Sequence, residues 1–145
     1  MAEKDLVTVE QITKKIYLIR GSKVMLDWDL ADLYRVKRKN LKQSVRRNIS
    51  RFPEDFMFKL SKEEFAALKS HIAVSDSDDK NLRSAPMAFT EQGVAMLSSI
   101  LRSDRAIQVN IQIIRIFTKM RDVISENKEL RKTVEELKQQ TDELF

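Results

Sequence analysis

The chain has 145 residues, of which 42% are hydrophobic, and its formal net charge is +5. This length fits one domain with an appendage, and the apolar fraction is large enough for a core. The absence of cysteine excludes disulfide frameworks, thiol catalysis and thiolate zinc sites, and a single histidine leaves little for a catalytic triad. With no apolar run of membrane-spanning length and no secretory signal, we expect a cytoplasmic protein that is not an enzyme and has no cofactor, metal or membrane partner.

The positive charge comes from one segment. Between Arg35 and Arg51 there are eight basic residues and no acidic one. The rest of the chain holds 19 basic and 22 acidic residues, a net charge of −3. Because a solvated surface normally mixes both signs, we interpret this segment as a binding surface for an anionic partner.

The first elements predict a β-hairpin followed by a helix. Ile16–Ile19 is a short apolar strand, Gly21 and Ser22 signal a turn, and Val24–Leu26 pairs back. Asp27 then offers a side chain that caps a short helix.

Two short helices follow with the spacing of a helix–turn–helix. The first carries Leu30, Leu33 and Tyr34, and Arg35 takes the turn position that is usually glycine, so either it tolerates the left-handed conformation or the turn differs. The second begins near Lys39 and is stopped by Pro53. Its apolar side is predicted to hold Leu41, Val45, Asn48, Ile49 and Phe52.

The opposite side of this second helix is cationic and carries amide side chains. The candidate DNA-binding residues are Lys37, Arg38, Lys39, Asn40, Lys42, Gln43, Arg46, Arg47, Ser50 and Arg51. Arginine and lysine bind guanine or phosphate, while asparagine and glutamine pair with adenine. We expect Asn40, Gln43 and Arg47 to contact bases and the other cations of helix 39–51 mainly to contact phosphates. No aromatic residues interleave with the basic ones, which favours DNA over RNA.

The middle of the chain predicts two strands that flank a helix and a loop. Phe56–Leu60 is strand-like, and Ser61–Glu64 has the capping-box pattern of a helix start. Residues 71–84 are polar and predict a loop, whose acids Asp76, Asp78 and Asp79 lack the glycine and the glutamate of a calcium loop. Pro86–Phe89 predicts an edge strand or the segment leading into one, because proline within sheets is confined to edge strands, strand starts and bulges. Thr90 caps the next helix.

The last helix, which starts after Ser103, has an unbroken heptad. With Ala106 at position a, the a/d seam is Ala106, Val109, Ile113, Ile116, Met120, Val123, Asn127, Leu130, Val134, Leu137, Thr141 and Leu144. Asparagine at a with leucine at the later d positions favours a parallel dimer, in which Glu126 can pair with Arg131. The predicted dimerisation residues are Val123, Asn127, Leu130, Val134, Leu137 and Leu144.

The apolar stripe of this helix is wider before Met120 than after it, so the first part must also pack against a domain. We therefore predict a DNA-binding domain at 1–121 and a carboxyl-terminal coiled-coil helix at 122–145. The fold class is α+β: a compact, mostly helical domain with a small hairpin or sheet and a helix–turn–helix-like unit, followed by the long helix.

Three stretches resemble a known family. They are Ile19–Asp27 leading into Asp29–Tyr34, then Arg46–Phe58, and then Ala88–Ser99. Their order and content are similar to the KilA-N-type DNA-binding domain of phage and prophage proteins, in the branch at the amino end of antirepressor-like proteins. The resemblance covers about residues 16–121, and its most specific runs are Arg-Phe-Pro-Glu-Asp-Phe and Phe-Thr-Glu-Gln-Gly. It implies a compact α+β domain in bacterial, often mobile-element, transcription control, although Arg35 departs from the usual glycine.

Two functions are consistent with these features. The first is a sequence-specific regulator that binds double-stranded DNA in the major groove as a homodimer. The alternative is an antirepressor-like interaction module that binds a repressor or host regulatory protein, since the acidic remainder and the coil suit a protein partner. A metal-dependent nuclease is a distant third, because the carboxylates are scattered along the chain.

Overall fold

The computed structural model of the protein describes residues 7–71 and 84–144. Its helices are α1 (Val9–Thr13), α2 (Asp27–Tyr34), α3 (Arg38–Arg47), α4 (Lys62–His71), α5 (Glu91–Ile100) and α6 (Asp104–Leu144), and a 3-10 turn, Ile49–Arg51, follows α3. Its strands are β1 (Ile16–Ile19), β2 (Ser22–Leu26), β3 (Met57–Lys59) and β4 (Met87–Phe89). The predicted α+β class with a long carboxyl-terminal helix is confirmed. The acids Asp76, Asp78 and Asp79 of the predicted loop lie outside the described residues.

The predicted hairpin is present, with its turn one residue earlier than expected. Ile19 pairs with Ser22, so Arg20 and Gly21 form the two-residue turn, with φ angles of 54° and 75°. Positive φ at both positions is what a tight hairpin turn requires. Arg20 is held in this unusual conformation by hydrogen bonds from its guanidinium group to Glu64, at 2.7 and 2.9 Å.

The four strands form one antiparallel sheet in the order β1-β2-β4-β3. The prediction of an edge strand at Pro86–Phe89 was therefore wrong, because β4 lies between β2 and β3. Ala88 pairs with Leu26 on one side and with Phe58 on the other. Pro86 precedes the strand, so its missing N–H removes no hydrogen bond between strands.

The sheet separates two apolar layers. The larger core packs α2, α3, α5 and the first part of α6 against one face, and its fully buried side chains include Met25, Leu30, Leu41, Val45, Phe89, Val94, Leu97 and Ile113. The smaller layer lies under α4 and contains Val24, Leu26, Phe58, Leu60, Leu68 and Ala88. The predicted capping box opens α4, because the backbone N–H of Glu64 donates to Ser61 Oγ and that of Ser61 donates to Glu64 Oε1.

The connection between α2 and α3 consists of residues 35–37. Arg35 adopts the left-handed conformation (φ 59°, ψ 44°), so the expected glycine position is occupied by a residue that tolerates it. The backbone N–H groups of Arg35 and Val36 donate to the carbonyl oxygens of Asp32 and Ala31, at 3.2 and 2.9 Å. This pair of bonds is a Schellman motif, which satisfies the last carbonyl groups of α2 and turns the chain sharply into α3.

The second helix of this pair is shorter than predicted. It ends at Arg47, six residues before Pro53, and Asn48 leaves the helical conformation with φ −121°. Because the 3-10 turn rotates the following side chains, Ile49 is 54% exposed and the prediction that it lies on the apolar side was wrong. Phe52 is buried as predicted and packs edge-on against Phe89, with ring centroids 5.9 Å apart.

The first part of α6 belongs to the core of the domain. Its Asn110 side chain is buried, accepts a hydrogen bond from the Tyr34 hydroxyl, and donates to Val94 O at 3.0 Å and Ser98 Oγ at 2.7 Å. These bonds join α2, α5 and α6. Side chains of α6 pack on the core as far as Met120, and the domain boundary near Arg121 stays a prediction. Across the described ranges, no helix has a stretch long and apolar enough to cross a membrane.

We expect Gly93→Ala to destabilise the fold by about 3 kcal/mol, the upper range for overpacking a core. The carbonyl of Phe56 accepts hydrogen bonds from Thr90 N–H and Oγ1 and lies directly against α5. A Cβ atom on Gly93 would lie 2.0 Å from that oxygen. Urea denaturation measures the loss.

The matched control is Gly21→Ala, because no atom lies within 4 Å of a Cβ placed there. Only its positive φ is strained, and we expect a loss of about 1 kcal/mol. Equal losses for the two variants would contradict the packing argument.

Candidate nucleic-acid interface

The orientation of α3 follows from its two buried side chains. Leu41 and Val45 are completely buried in the main core, one turn apart on the same side of the helix. The side chains that point away from the core are therefore exposed, and five candidate residues lie there: Lys39, Asn40, Gln43, Arg46 and Arg47. We call these five the basic face of α3.

Asp27 holds α3 in place, which differs from its predicted role. The residue before α2 is Leu26, no side chain caps this helix, and Asp27 lies inside the first turn with 0% exposure. Its Oδ1 accepts a hydrogen bond from Arg38 Nε at 2.9 Å, and its Oδ2 accepts one from the backbone N–H of Met87 at 3.0 Å. The prediction that Asp27 caps the helix was wrong, because its carboxylate joins α2 to α3 and β4.

Arg38 is a candidate DNA-binding residue whose charged group lies inside the fold and not on the basic face. Its side chain is only 14% exposed and its guanidinium lies over the Trp28 ring, 5.2 Å from the centroid. It also donates to the carbonyl of Ser84 at 3.2 Å. With these contacts and the ion pair to Asp27, Arg38 positions the helix rather than presenting a free charge.

Lys42 lies on the flank of α3, half-buried beside other cations. Burial lowers the pKa of Lys42, and the neighbouring charges of Arg38, Arg46 and Lys59 lower it further, while Asp27 raises it. Lys42 thus lies within electrostatic reach of three other cations and of the buried Asp27 carboxylate. An anion at this flank would relieve the repulsion among the cations.

Lys59 is a basic residue of this surface that was not among the candidates predicted from the sequence. It is exposed at the end of β3, outside the segment 35–51, and lies within electrostatic reach of Lys42. A signal existed in the sequence, because Lys59 is the one cation in the strand-like run Phe56–Leu60. Its proximity to α3 depends on the position of β3 at the edge of the sheet, which no local pattern predicts.

The remaining candidates lie at the two ends of α3. Lys37 is exposed immediately before the helix. Ser50 and Arg51 are exposed on the 3-10 turn after it, and Arg51 donates to Ser99 Oγ at 3.1 Å. The candidate surface therefore extends from the start of α3 to the turn beyond it.

The basic face and the neighbouring Lys42 carry charge that the fold leaves uncompensated. Within residues 7–71 and 84–144, Lys39, Lys42, Arg46 and Arg47 form no salt bridge. The same part of the chain contains no cluster of three or more side chains that is suited to a metal ion. The arrangement is that of a surface that binds anions through cationic and amide side chains.

The predicted dimerisation residues are far along α6 from this surface. Asn127 and the apolar residues Val123, Leu130, Val134 and Leu137 are exposed, and the side chain of Leu144 lies outside what the structure describes. They share one face of the helix beyond the last core contact.

We expect Asp27→Asn to destabilise the fold by about 3 kcal/mol, because removing one partner of a buried ion pair leaves the other charge uncompensated. The amide keeps an acceptor for the Met87 N–H, so the lost stability measures mainly the ion pair with Arg38. Asp32→Asn is the control on the same helix, since the Asp32 side chain is 79% exposed and should cost less than about 0.5 kcal/mol. Thermal unfolding of the two variants measures the difference, and similar melting temperatures would refute the role of Asp27.

Comparison with known proteins identifies the domain. The ORF6N domain matches residues 14–100, a range that contains all four strands and α2 to α5. No curated protein and no solved structure matches the chain. The KilA-N type that the motifs suggested is not the family matched, whereas the broader prediction of a phage-associated, antirepressor-like domain is confirmed. The chain belongs to the ORF6N domain family.

Proposed function

We propose that the protein is a phage-type transcription regulator that binds double-stranded DNA in the major groove through α3 and acts as a homodimer. The observation that carries this proposal is the basic face of α3, which has no acidic neighbour on its own helix and no salt bridge to the described residues. DNA neutralises such a surface and releases its counterions, which favours binding. Membership of a phage-associated family agrees with a regulatory role.

In this proposal α2 and α3 act as a helix–turn–helix, with α3 as the recognition helix. The connection of residues 35–37 is short, and the ion pair of Asp27 with Arg38 fixes the angle of α3 against the core. A recognition helix needs this rigidity, because hydrogen bonds to base edges tolerate little displacement. The exposed Asn40, Gln43 and Arg47 would contact bases.

The surrounding cations would bind the DNA backbone. Lys37, Lys39, Lys42, Arg46 and Arg51 surround the proposed base-reading residues, and Ser50 adds a hydroxyl group at the end of the surface. Lys59 extends this set onto β3, next to Lys42. Phosphate contacts set the position and orientation of a protein on the duplex without reading sequence.

A second candidate function is supported by the exposed apolar residues of α6. Val123, Leu130, Val134 and Leu137 form a surface that suits a protein, and an antirepressor-like module would use it to bind a repressor or a host regulator. Affinity capture from lysate with and without nuclease distinguishes the two functions. Partners that are retained only with intact nucleic acid support the DNA-binding function, and partners that survive nuclease support the alternative.

The direct test is selection of bound sequences from a random duplex pool at physiological salt. We expect an enriched motif with two related half-sites. If each subunit contacts about four phosphates, log affinity should fall with log salt with a slope of about −7 per dimer. Binding that does not change with salt, or no binding to the pool, would refute the proposal.

Substitutions separate base contacts from phosphate contacts. Arg47→Ala should cost about 1–3 kcal/mol on the selected site and relax its sequence preference. Arg46→Ala and Lys59→Ala should weaken all sequences alike, and each should make the salt slope shallower by about 0.9 per subunit. Fluorescence anisotropy with the selected duplex and a scrambled duplex measures both effects.

The control for these variants is Lys128→Ala, which makes the same charge change on the part of α6 beyond the core. We expect this variant to keep the wild-type slope. If Lys59→Ala behaves like Lys128→Ala, β3 does not contact DNA, and the proposal for α3 still stands on Arg46 and Arg47.

A further inference from the structure

The heptad seam of α6 has two environments. In its first half the a and d side chains Ala106, Val109, Ile113 and Ile116 are buried by the domain itself, and α1, α2 and α5 contact this part of the helix. In its second half the seam is exposed: Val123 by 50%, Leu130 by 62%, Val134 by 54% and Leu137 by 57%. Four exposed apolar side chains at heptad spacing are the pattern of a helix that packs against another helix.

Both halves of the seam face broadly the same side of the molecule. Residues 104–144 form one continuous helix. In a straight helix a heptad seam drifts by about 20° per seven residues, and the centres of the two halves are about three heptads apart, so their directions differ by about 60°. The domain therefore lies on the side of α6 that a partner helix would occupy further along.

This position of the domain conflicts with a parallel pair of helices. Packed helices lie about 8–10 Å apart. In a parallel pair both domains would lie at the same height along the coil, and each would be on the side that faces the other copy. Residues 104–120 of one copy would then overlap sterically with α1 and α5 of the other. An antiparallel pair places the two domains at opposite ends and avoids the overlap.

We propose that the exposed half of α6 binds a second copy of this chain in the antiparallel orientation, so that the far end of one helix reaches the domain of the other. The inference rests on the proposed dimerisation and adds its geometry. In an antiparallel coil an a residue of one helix lies opposite a d residue of the other. The heptad then pairs Leu130 with Val134, Asn127 with Leu137, and Val123 with Thr141.

A groove at the junction of the domain and the exposed helix fits this arrangement. It has a volume of about 650 Å³ and lies between α1, β2 and α6, with Val9, Ile116, Met120 and Val123 among its lining side chains. The cations Lys23, Arg115 and Lys119 also line it. The groove continues the exposed seam into the domain.

The charges of the far end of α6 complement this groove. Residues 135–143 contain four acids, Glu135, Glu136, Asp142 and Glu143, and one base, Lys138. In this antiparallel register Asp142 and Glu143, at the end of the segment, lie opposite residues 122 and 121, within about one helical turn of Lys119, whereas a parallel copy leaves them at the far end of the coil. Complementary charge sets the orientation of packed helices in this way.

Two features of the sequence favour the parallel orientation, and both are weaker constraints. Asn127 would lie opposite the Asn127 of the second copy, and the heptad would allow Glu126 to pair with Arg131. An exposed ion pair contributes little. Overlap of two folded domains cannot be relieved without breaking α6 or unpacking α1.

The consequence for DNA is a wide separation of the two recognition helices. A helix of 41 residues is about 61 Å long at 1.5 Å per residue. An antiparallel dimer would therefore contact half-sites more than one DNA turn apart, or two separate segments of DNA.

The orientation is tested by disulfide cross-linking, because the natural chain has no cysteine. Val123→Cys and Thr141→Cys are prepared separately and then oxidised alone and as a mixture. In an antiparallel dimer two copies of residue 123 are about 27 Å apart along the coil, too far for a disulfide, which needs Cα atoms within about 7 Å. We expect little cross-linking of Val123→Cys alone and a strong heterodimer band when the two variants are mixed.

A strong homodimer band of Val123→Cys alone would overturn the antiparallel orientation. Size-exclusion chromatography with light scattering, run on the full wild-type chain, separates this outcome from failure of the proposed function. A monomer at high micromolar concentration would refute dimerisation itself, and with it the orientation. Circular dichroism of both variants checks that the substitutions leave the fold intact.

Discussion

The arrangement of the domain depends on one buried carboxylate, that of Asp27. Its two oxygens bind groups from different parts of the chain, the Arg38 guanidinium at the start of α3 and the Met87 N–H at the start of β4. A buried charge is tolerated only when such bonds satisfy it, so the three elements must keep these positions for the fold to remain stable. The direction of α3, and therefore of its basic face, follows from this requirement.

The same helix shows how packing and charge share one element. Its apolar side holds α3 against the core through Leu41 and Val45, while most of its cations remain in water. Arg38 differs from Lys39, Arg46 and Arg47 because its charge is paired with Asp27 within the fold. A basic run of sequence thus contains two kinds of cation, one that builds the surface and several that the surface presents.

Local patterns predicted much of this structure, and the misses share a physical cause. The hairpin, α3 and the long α6 were expected because their periodicity and turn residues are properties of a few neighbouring positions. The role of Asp27, the central position of β4 and the proximity of Lys59 to Lys42 were not expected, because each depends on a partner distant in sequence. The exposure of Ile49 was missed for a more local reason. A helical wheel assigns Ile49 to the apolar side only if the α-helix continues past Arg47, whereas the chain forms a 3-10 turn there.

The continuity of α6 couples two events that a flexible linker would keep independent. The helix that contributes Ile113 and Asn110 to the core is also the helix whose far half is open to a partner. Any molecule that binds the far half only when it is helical adds its binding free energy to the stability of the whole chain. Through the Tyr34–Asn110 hydrogen bond, that linkage extends to α2, which leads into α3. Binding of a partner to the far half of α6 is then thermodynamically linked to the stability of α2 and α3 at the other end of the molecule.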